Sequence, residues 1–311
     1  MPADSQRLSE HPQQAVGALL ICLSAVAWGF DGVVLTPRLS HLPVGFVVFL
    51  IHAIPLLIMV PFLRRSWRTL RAMERRGWWI LALVAATGGL VGTLAIVKAL
   101  FLVNFNRLSV VVLLQKMQPL FAVTLASILL KEKITARFAG FASVAIVGAY
   151  LLAFGMDLPH LQSGDHTAEA AALALLAAAA FGSATVFGKQ LLGTLGFADA
   201  TFGRYGMTAL MALGYVAVSG TGLPFADVGP RGWLIILVIS VTTGSGAIFL
   251  YYYGLTRVRA SIAAICELCL PLSAVIFDYV VNGSVLGPWR ILGAGLLIFA
   301  ILRLTTGRLE R

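Results

Sequence analysis

The chain has 311 residues, 59% hydrophobic and 12% charged, against about 45–50% and about 25% in an average soluble domain. Those proportions exclude a water-soluble globular fold, because a domain of this size needs a larger polar surface. The formal charge of +10 would point a soluble chain towards nucleic acid, but no basic stretch is long enough to form a groove. In a lipid-embedded chain the same excess is a cytoplasmic rim.

Ten stretches reach the roughly 20 apolar residues that a bilayer core needs. They are predicted near Val16–Thr36, Pro43–Leu63, Gly77–Val103, Leu108–Leu130 and Phe138–Met156, then Ala170–Leu192, Ala200–Gly220, Gly232–Gly254, Ala260–Val281 and Leu286–Leu302. The first ends in Trp28-Gly29-Phe30-Asp31 rather than a small-residue cleavage site, so it reads as a retained span. The connections are short and leave no room for a soluble domain. Cys22, Cys266 and Cys269 fall inside apolar runs, which suits packing better than a disulfide framework or a metal site.

With the N-terminus inside, 16 of the 23 basic residues fall on inner segments, four outside and three within spans. The densest group is Arg64, Arg65, Arg68, Arg71, Arg75 and Arg76, between spans two and three. This bias puts both ends in the cytoplasm. Trp78, Trp79 and Tyr251 to Tyr253 suit the interfacial aromatic belt.

The acidic connection Asp157–Glu169 separates five spans from five. Shifting the chain by 152 residues lays Arg107, Ser109, Pro119 and Leu120 on Arg259, Ser261, Pro271 and Leu272; a shift of 153 lays Gly29 on Gly182 and Gly140 on Gly293. An odd number of spans per half makes the second copy start on the opposite side. The expected fold is therefore an all-α polytopic membrane protein of ten transmembrane helices in two inverted five-helix repeats, an architecture common among secondary transporters. The units are an N-terminal tail over 1–15, repeats over 16–156 and 170–304, a periplasmic linker over 157–169 and a C-terminal tail over 305–311.

Ionisable groups within spans are functional candidates, and depth sorts them. Lys98 lies roughly 31 Å along its helix from Gly77, at the outer interface, while Arg204 and Asp278 sit close enough to span ends to snorkel to water. Lys116 and Glu267 fall only some 7 Å apart in depth near the middle of the core. A Lys116–Glu267 pair between spans four and nine would lower the cost of burying both charges, and a substrate could compete for Lys116; a permanent pair that only pins the halves together is the alternative. Asp31, some 22 Å into span one, is a further candidate for the same cavity. Pro119 and Pro271 free backbone carbonyls and are candidate gating points. Catalytic readings fail: Gly182 to Gln190 resembles a phosphate loop but has one residue too many and Gln where Ser or Thr is needed, His52 is isolated, and there is no nucleophile elbow.

Ala27-Trp28-Gly29, Gln115-Lys116-x-Gln118-Pro119 and Leu130-Lys131-Glu132-Lys133, followed by Gly140 and Gly148, recur in form as Arg259-Ala-Ser261, Glu267-Leu268-Cys269-Leu270-Pro271 and Gly293. Over about residues 16–304 this order and spacing resembles the EamA-type repeat of the drug/metabolite transporter superfamily. The resemblance implies ten helices, alternating access around a cavity lined by spans one, three, four, six, eight and nine, and, in bacteria, frequent export of amino acids, metabolites or drugs. Where the family often has Glu after the fourth helix of a repeat, the second half reads Asn282-Gly283-Ser284.

The sequence thus predicts a bacterial inner-membrane secondary transporter, an exporter of small organic solutes, without catalytic residues, cofactor or metal. Substrate is expected at Lys116, Gln115, Glu267, Asp31, Trp28 and Lys98, with Glu267 or Asp31 as proton carrier. Its partners are a small-molecule substrate and membrane lipids, with a homodimer as an option and no nucleic acid. The competing readings are a membrane-embedded lipid-modifying enzyme and a non-transporting scaffold or receptor.

Overall fold

The computed structural model describes residues 2–61, 64–102, 111, 114–157, 166–283 and 287–306. Among these the chain is helical throughout, as it must be where no water is available to satisfy backbone groups. In chain order the helices are α1 (Pro2–Phe30), α2 (Val44–Met59), α3 (Arg64–Arg71), α4 (Arg75–Val84), α5 (Gly92–Leu102), α6 (Gln118–Leu129), α7 (Ala136–Phe154), α8 (Thr167–Leu191), α9 (Phe197–Ser219), α10 (Gly229–Ile239), α11 (Ala247–Leu255), α12 (Ala260–Cys266), α13 (Cys269–Asn282) and α14 (Pro288–Thr306).

Seven helical stretches are long and apolar enough to cross a membrane, and an eighth is reached if α2 and α3, bent by 106° to each other, count as one. The expected spans Pro43–Leu63, Leu108–Leu130 and Ala200–Gly220 are the three outside the seven. The first is the bent pair, the second is described mainly by the 12-residue α6, and the third is α9, 23 residues long. Hydroxyls inside these helices turn back onto their own backbone, as Ser24 does to the Leu20 carbonyl and Ser183 to that of Ala179. Helix ends carry local signals: the Thr135 hydroxyl accepts from Phe138 N at 3.2 Å, and Gly155 and Gly283 close α7 and α13 at positive φ.

Several departures from regular helix come in matched pairs. A π-helical stretch, Ala85–Val91, joins α4 to α5, and another, Ser240–Gly246, joins α10 to α11. In each, a threonine hydroxyl caps the preceding turn: Thr87 donates to Leu83 O and Thr242 to Val238 O, both at 2.6 Å. The chain also breaks at Lys116-Met117 before α6 and at Glu267-Leu268 between α12 and α13, just ahead of Pro119 and Pro271. A third π segment, Asp31–Leu35, extends α1. Irregularities paired between two halves are what an internal repeat produces, and π turns concentrate where helices serve function.

Contacts between the halves have the same symmetry. α1 packs against α11 and α13, as α8 packs against α5 and α6, while α7 pairs with α14 and α2 with α9. Two glycines make the matched crossings of α1 and α8. A Cβ at Gly29 would stand 2.9 Å from Leu270 O and 3.1 Å from Ala274 N; one at Gly182 would stand 2.7 Å from Gln118 O and 2.9 Å from Ala122 N. Gly148 and Gly293 bring α7 and α14 equally close, each Cβ meeting the carbonyl of the other within 3 Å. Such backbone approach is the usual basis of helix association in lipid. Gly140, matched to Gly293 in sequence, faces open space.

Candidate functional site

Each helix break presents one ionisable side chain to the interior. Glu267, in the break of the α12–α13 span, accepts three hydrogen bonds from three other helices. Gln118 Nε2 at the start of α6 donates to Oε2 at 2.6 Å, Thr185 Oγ1 of α8 to Oε1 at 2.8 Å, and Tyr251 Oη of α11 to Oε1 at 2.7 Å. Tyr251 is 3% exposed, and its ring lies 5.4 Å from that of Trp28 on α1. Neutral donors thus hold a carboxylate beside an aromatic wall.

Arg204 lies beside this cluster rather than in water. Its guanidinium donates to the hydroxyl of fully buried Tyr252 and to the carbonyl of Gly88, each at 3.2 Å. Gly88 belongs to the first π segment, whose wide turns leave carbonyls open to such donors. No carboxylate lies within ion-pair distance of Arg204 among the described residues. On the neighbouring face, the rings of His52 and Tyr205 are 5.2 Å apart, and His52 Nδ1 contacts Val48 O at 2.8 Å.

The expected Lys116–Glu267 pair is not formed. Lys116 is half-buried and makes neither an ion pair nor a hydrogen bond among the described residues, while both Glu267 oxygens are engaged by neutral groups. Gln115 beside it is likewise half-buried. Asp31 accepts from Thr36 at 2.9 Å in the π extension of α1. Lys98 stands apart from the cluster, 62% exposed and 3.1 Å from Glu169. Pro119 and Pro271 flank the two breaks. Tyr251 and Tyr252, expected in the interfacial belt, are buried instead. Sequence reasoning missed Gln118, Thr185, Tyr251, Tyr252 and the inward turn of Arg204; the signals were the Gln118-Pro119 motif and the register of Gly182, three residues before Thr185.

At the end of the bundle that holds the 130–135 turn, Glu132 joins the halves. Its carboxylate accepts from Ala260 N at 2.7 Å, Ser261 N at 3.1 Å and Ser261 Oγ at 2.6 Å, and lies 3.5 Å from Arg259 Nε. An anion at the first turn of α12 meets its free N–H groups and its dipole. Lys131, at φ 54°, makes the backbone turn that points Glu132 there.

A two-fold set of irregular helices around such a polar centre accords with the chain's likeness to known proteins. The EamA-like transporter family matches twice, over residues 15–154 and 169–306. The chain belongs to this family. A relative from Fusobacterium nucleatum subsp. nucleatum named "Riboflavin transporter ImpX" is 46% identical over 290 residues, covering 93% of this chain and 97% of the relative. A chain of known crystal structure shares the fold at TM-score 0.75 and 16% identity, covering 94% of this chain and 99% of that one. This EamA-like chain is therefore a multi-pass membrane transporter of a small solute, and not an enzyme.

Proposed function

We propose that the chain moves a flavin, or a planar heteroaromatic solute like it, by alternating access around the Glu267 cluster. The name of the 46% identical relative carries this reading, and the chemistry of the site supports it. Trp28 and Tyr251 offer aromatic faces for a tricyclic ring, while Arg204 and Gln118 offer donors for the carbonyls on its polar edge. Asp31 and Glu267 balance Lys116 and Arg204 in charge. A neutral substrate fits that balance, whereas the phosphate monoester of riboflavin would bring uncompensated negative charge.

On this reading ten spans form two inverted repeats, over 16–156 and 170–304, joined by the 157–169 linker. They lie in a bacterial inner membrane with both ends cytoplasmic. Substrate binds at Lys116, Gln115, Glu267, Asp31 and Trp28, Glu267 or Asp31 carries a coupled proton, and the breaks before Pro119 and Pro271 gate the two sides. The direction expected from the family resemblance is export.

Counterflow of labelled riboflavin in proteoliposomes tests this. Exchange should be competed by unlabelled riboflavin but not by its phosphate ester, and should fall at least tenfold in Glu267→Gln. Absence of riboflavin exchange under conditions where another solute exchanges would overturn the flavin assignment; equal exchange in wild type and variant would overturn the site.

A further inference from the structure

The short helix α3 faces in two chemical directions. Ser66 and Leu70, four residues apart, are each 2% exposed, and Leu70 Cδ2 would lie 3.1 Å from a Cβ placed on Gly203 of α9. Its opposite side carries Arg64, Arg65, Arg68 and Arg71, all exposed, with Trp67 49% exposed among them. Arg64, Arg68 and Arg71 recur at i, i+4 and i+7, hence along one stripe. The chain turns at 72–74 and re-enters the bundle with Arg75 and Arg76, and Arg75, Trp78 and Trp79 line a cleft, Trp79 being 63% exposed.

Among the described residues none of these six guanidinium groups has a carboxylate within ion-pair distance, and none donates a side-chain hydrogen bond to the protein. Among the described residues the one internal use of the charge is Arg71 over the Trp67 ring at 4.9 Å. A bias of basic residues in a connection needs no structure. Here the connection is a helix docked on α9 through Ser66 and Leu70 and bent 106° from α2, with exposed indole rings of the kind that seat in the interfacial region.

We propose that α3 and the start of α4 form a binding site for anionic phospholipid. The arginine stripe holds the phosphates, and Trp67 and Trp79 lie against the glycerol and upper acyl region. Arginine suits this task because its planar fork meets phosphate oxygens two at a time, and each juxtamembrane basic group strengthens attachment to an anionic surface about fivefold. Because α3 rests on α9, which carries Arg204, the lipid would brace the helix that supports the central cluster.

Native mass spectrometry of the full chain, released from nanodiscs holding equal phosphatidylglycerol and phosphatidylethanolamine, reads this directly. Wild type should retain phosphatidylglycerol at least fivefold over phosphatidylethanolamine, a preference that R68Q/R71Q/R75Q reduces to twofold or less. K131Q/K133Q, which removes charge from the 130–135 turn, should keep it. Equal retention of both lipids by wild type would overturn the site, and this arm does not depend on any variant folding. Equal loss of preference in both variants would also overturn it, by showing a diffuse positive rim.

Discussion

Glu132 and Ser261 lie 2.6 Å apart, oxygen to oxygen, and belong to opposite halves of the chain. The same carboxylate takes two backbone N–H groups and faces Arg259, so one side chain from the first half closes the start of α12 in the second.

Removing that carboxylate should loosen this end of the bundle. Hydrogen bonds to a charged group contribute about 1.5–3 kcal/mol each, and loss of about 1.4 kcal/mol shifts an equilibrium tenfold. In Glu132→Ala, the free and buried Cys266 thiol of α12 should react with a maleimide at least fivefold faster than in wild type. Ser261→Ala, which leaves both backbone bonds, should change the rate less than Glu132→Ala. An unchanged labelling rate in Glu132→Ala would mean that the contact does not hold the end closed.

The glycine crossings make a prediction about stability alone. Gly29→Ala and Gly182→Ala must each push backbone apart, at a cost of about 1–3 kcal/mol. Gly140→Ala meets nothing and gains up to ~1 kcal/mol in helix propensity. Thermal unfolding in detergent should lower the midpoint for the first two and leave or raise it for the third; the reverse order would contradict the packing.

Lys116 separates stability from function in the other direction. An ammonium without a partner is costly in the core, so Lys116→Met should raise the unfolding midpoint while riboflavin counterflow falls at least tenfold. Undiminished counterflow would remove Lys116 from the transport site.

Tyr251 and Glu267 should be separable by their response to a pH gradient. Tyr251→Phe deletes one donor to the carboxylate, about 1 kcal/mol of stability, and should slow transport while leaving it gradient-driven. If Glu267 carries the coupled proton, Glu267→Gln should lose the response to an imposed pH gradient altogether. A gradient response that survives in Glu267→Gln would pass the proton role to Asp31.

Spacing and depth carried much of this protein. The register of Gly29 on Gly182 and of Pro119 on Pro271 can be read from the chain, and the structure places both pairs at matched crossings and breaks. Depth arithmetic fixes how far a residue lies along a helix but not which way it points. That is why Lys116 and Glu267, expected at one level, form no pair, and why Arg204, near the start of α9, turns inward to Tyr252 and Gly88. The donors on Glu267 are an amide and two hydroxyls, whose residue types are too common in apolar helices to stand out. The three tyrosines at 251–253 follow the sequence pattern of an interfacial belt, and only packing shows that the first two are core.

The two π segments, Ala85–Val91 and Ser240–Gly246, also bear on how such a chain can change. A π turn takes up more residues than an α turn, so returning it to α geometry with no residue lost swings everything beyond it by about 100°. Done in one half, that rotation leaves a chain whose two halves no longer mirror each other. Done in both, it keeps the mirror relation. The natural unit of mutation in this protein is therefore a couple of positions 155 residues apart, such as Thr87 with Thr242, rather than any single site.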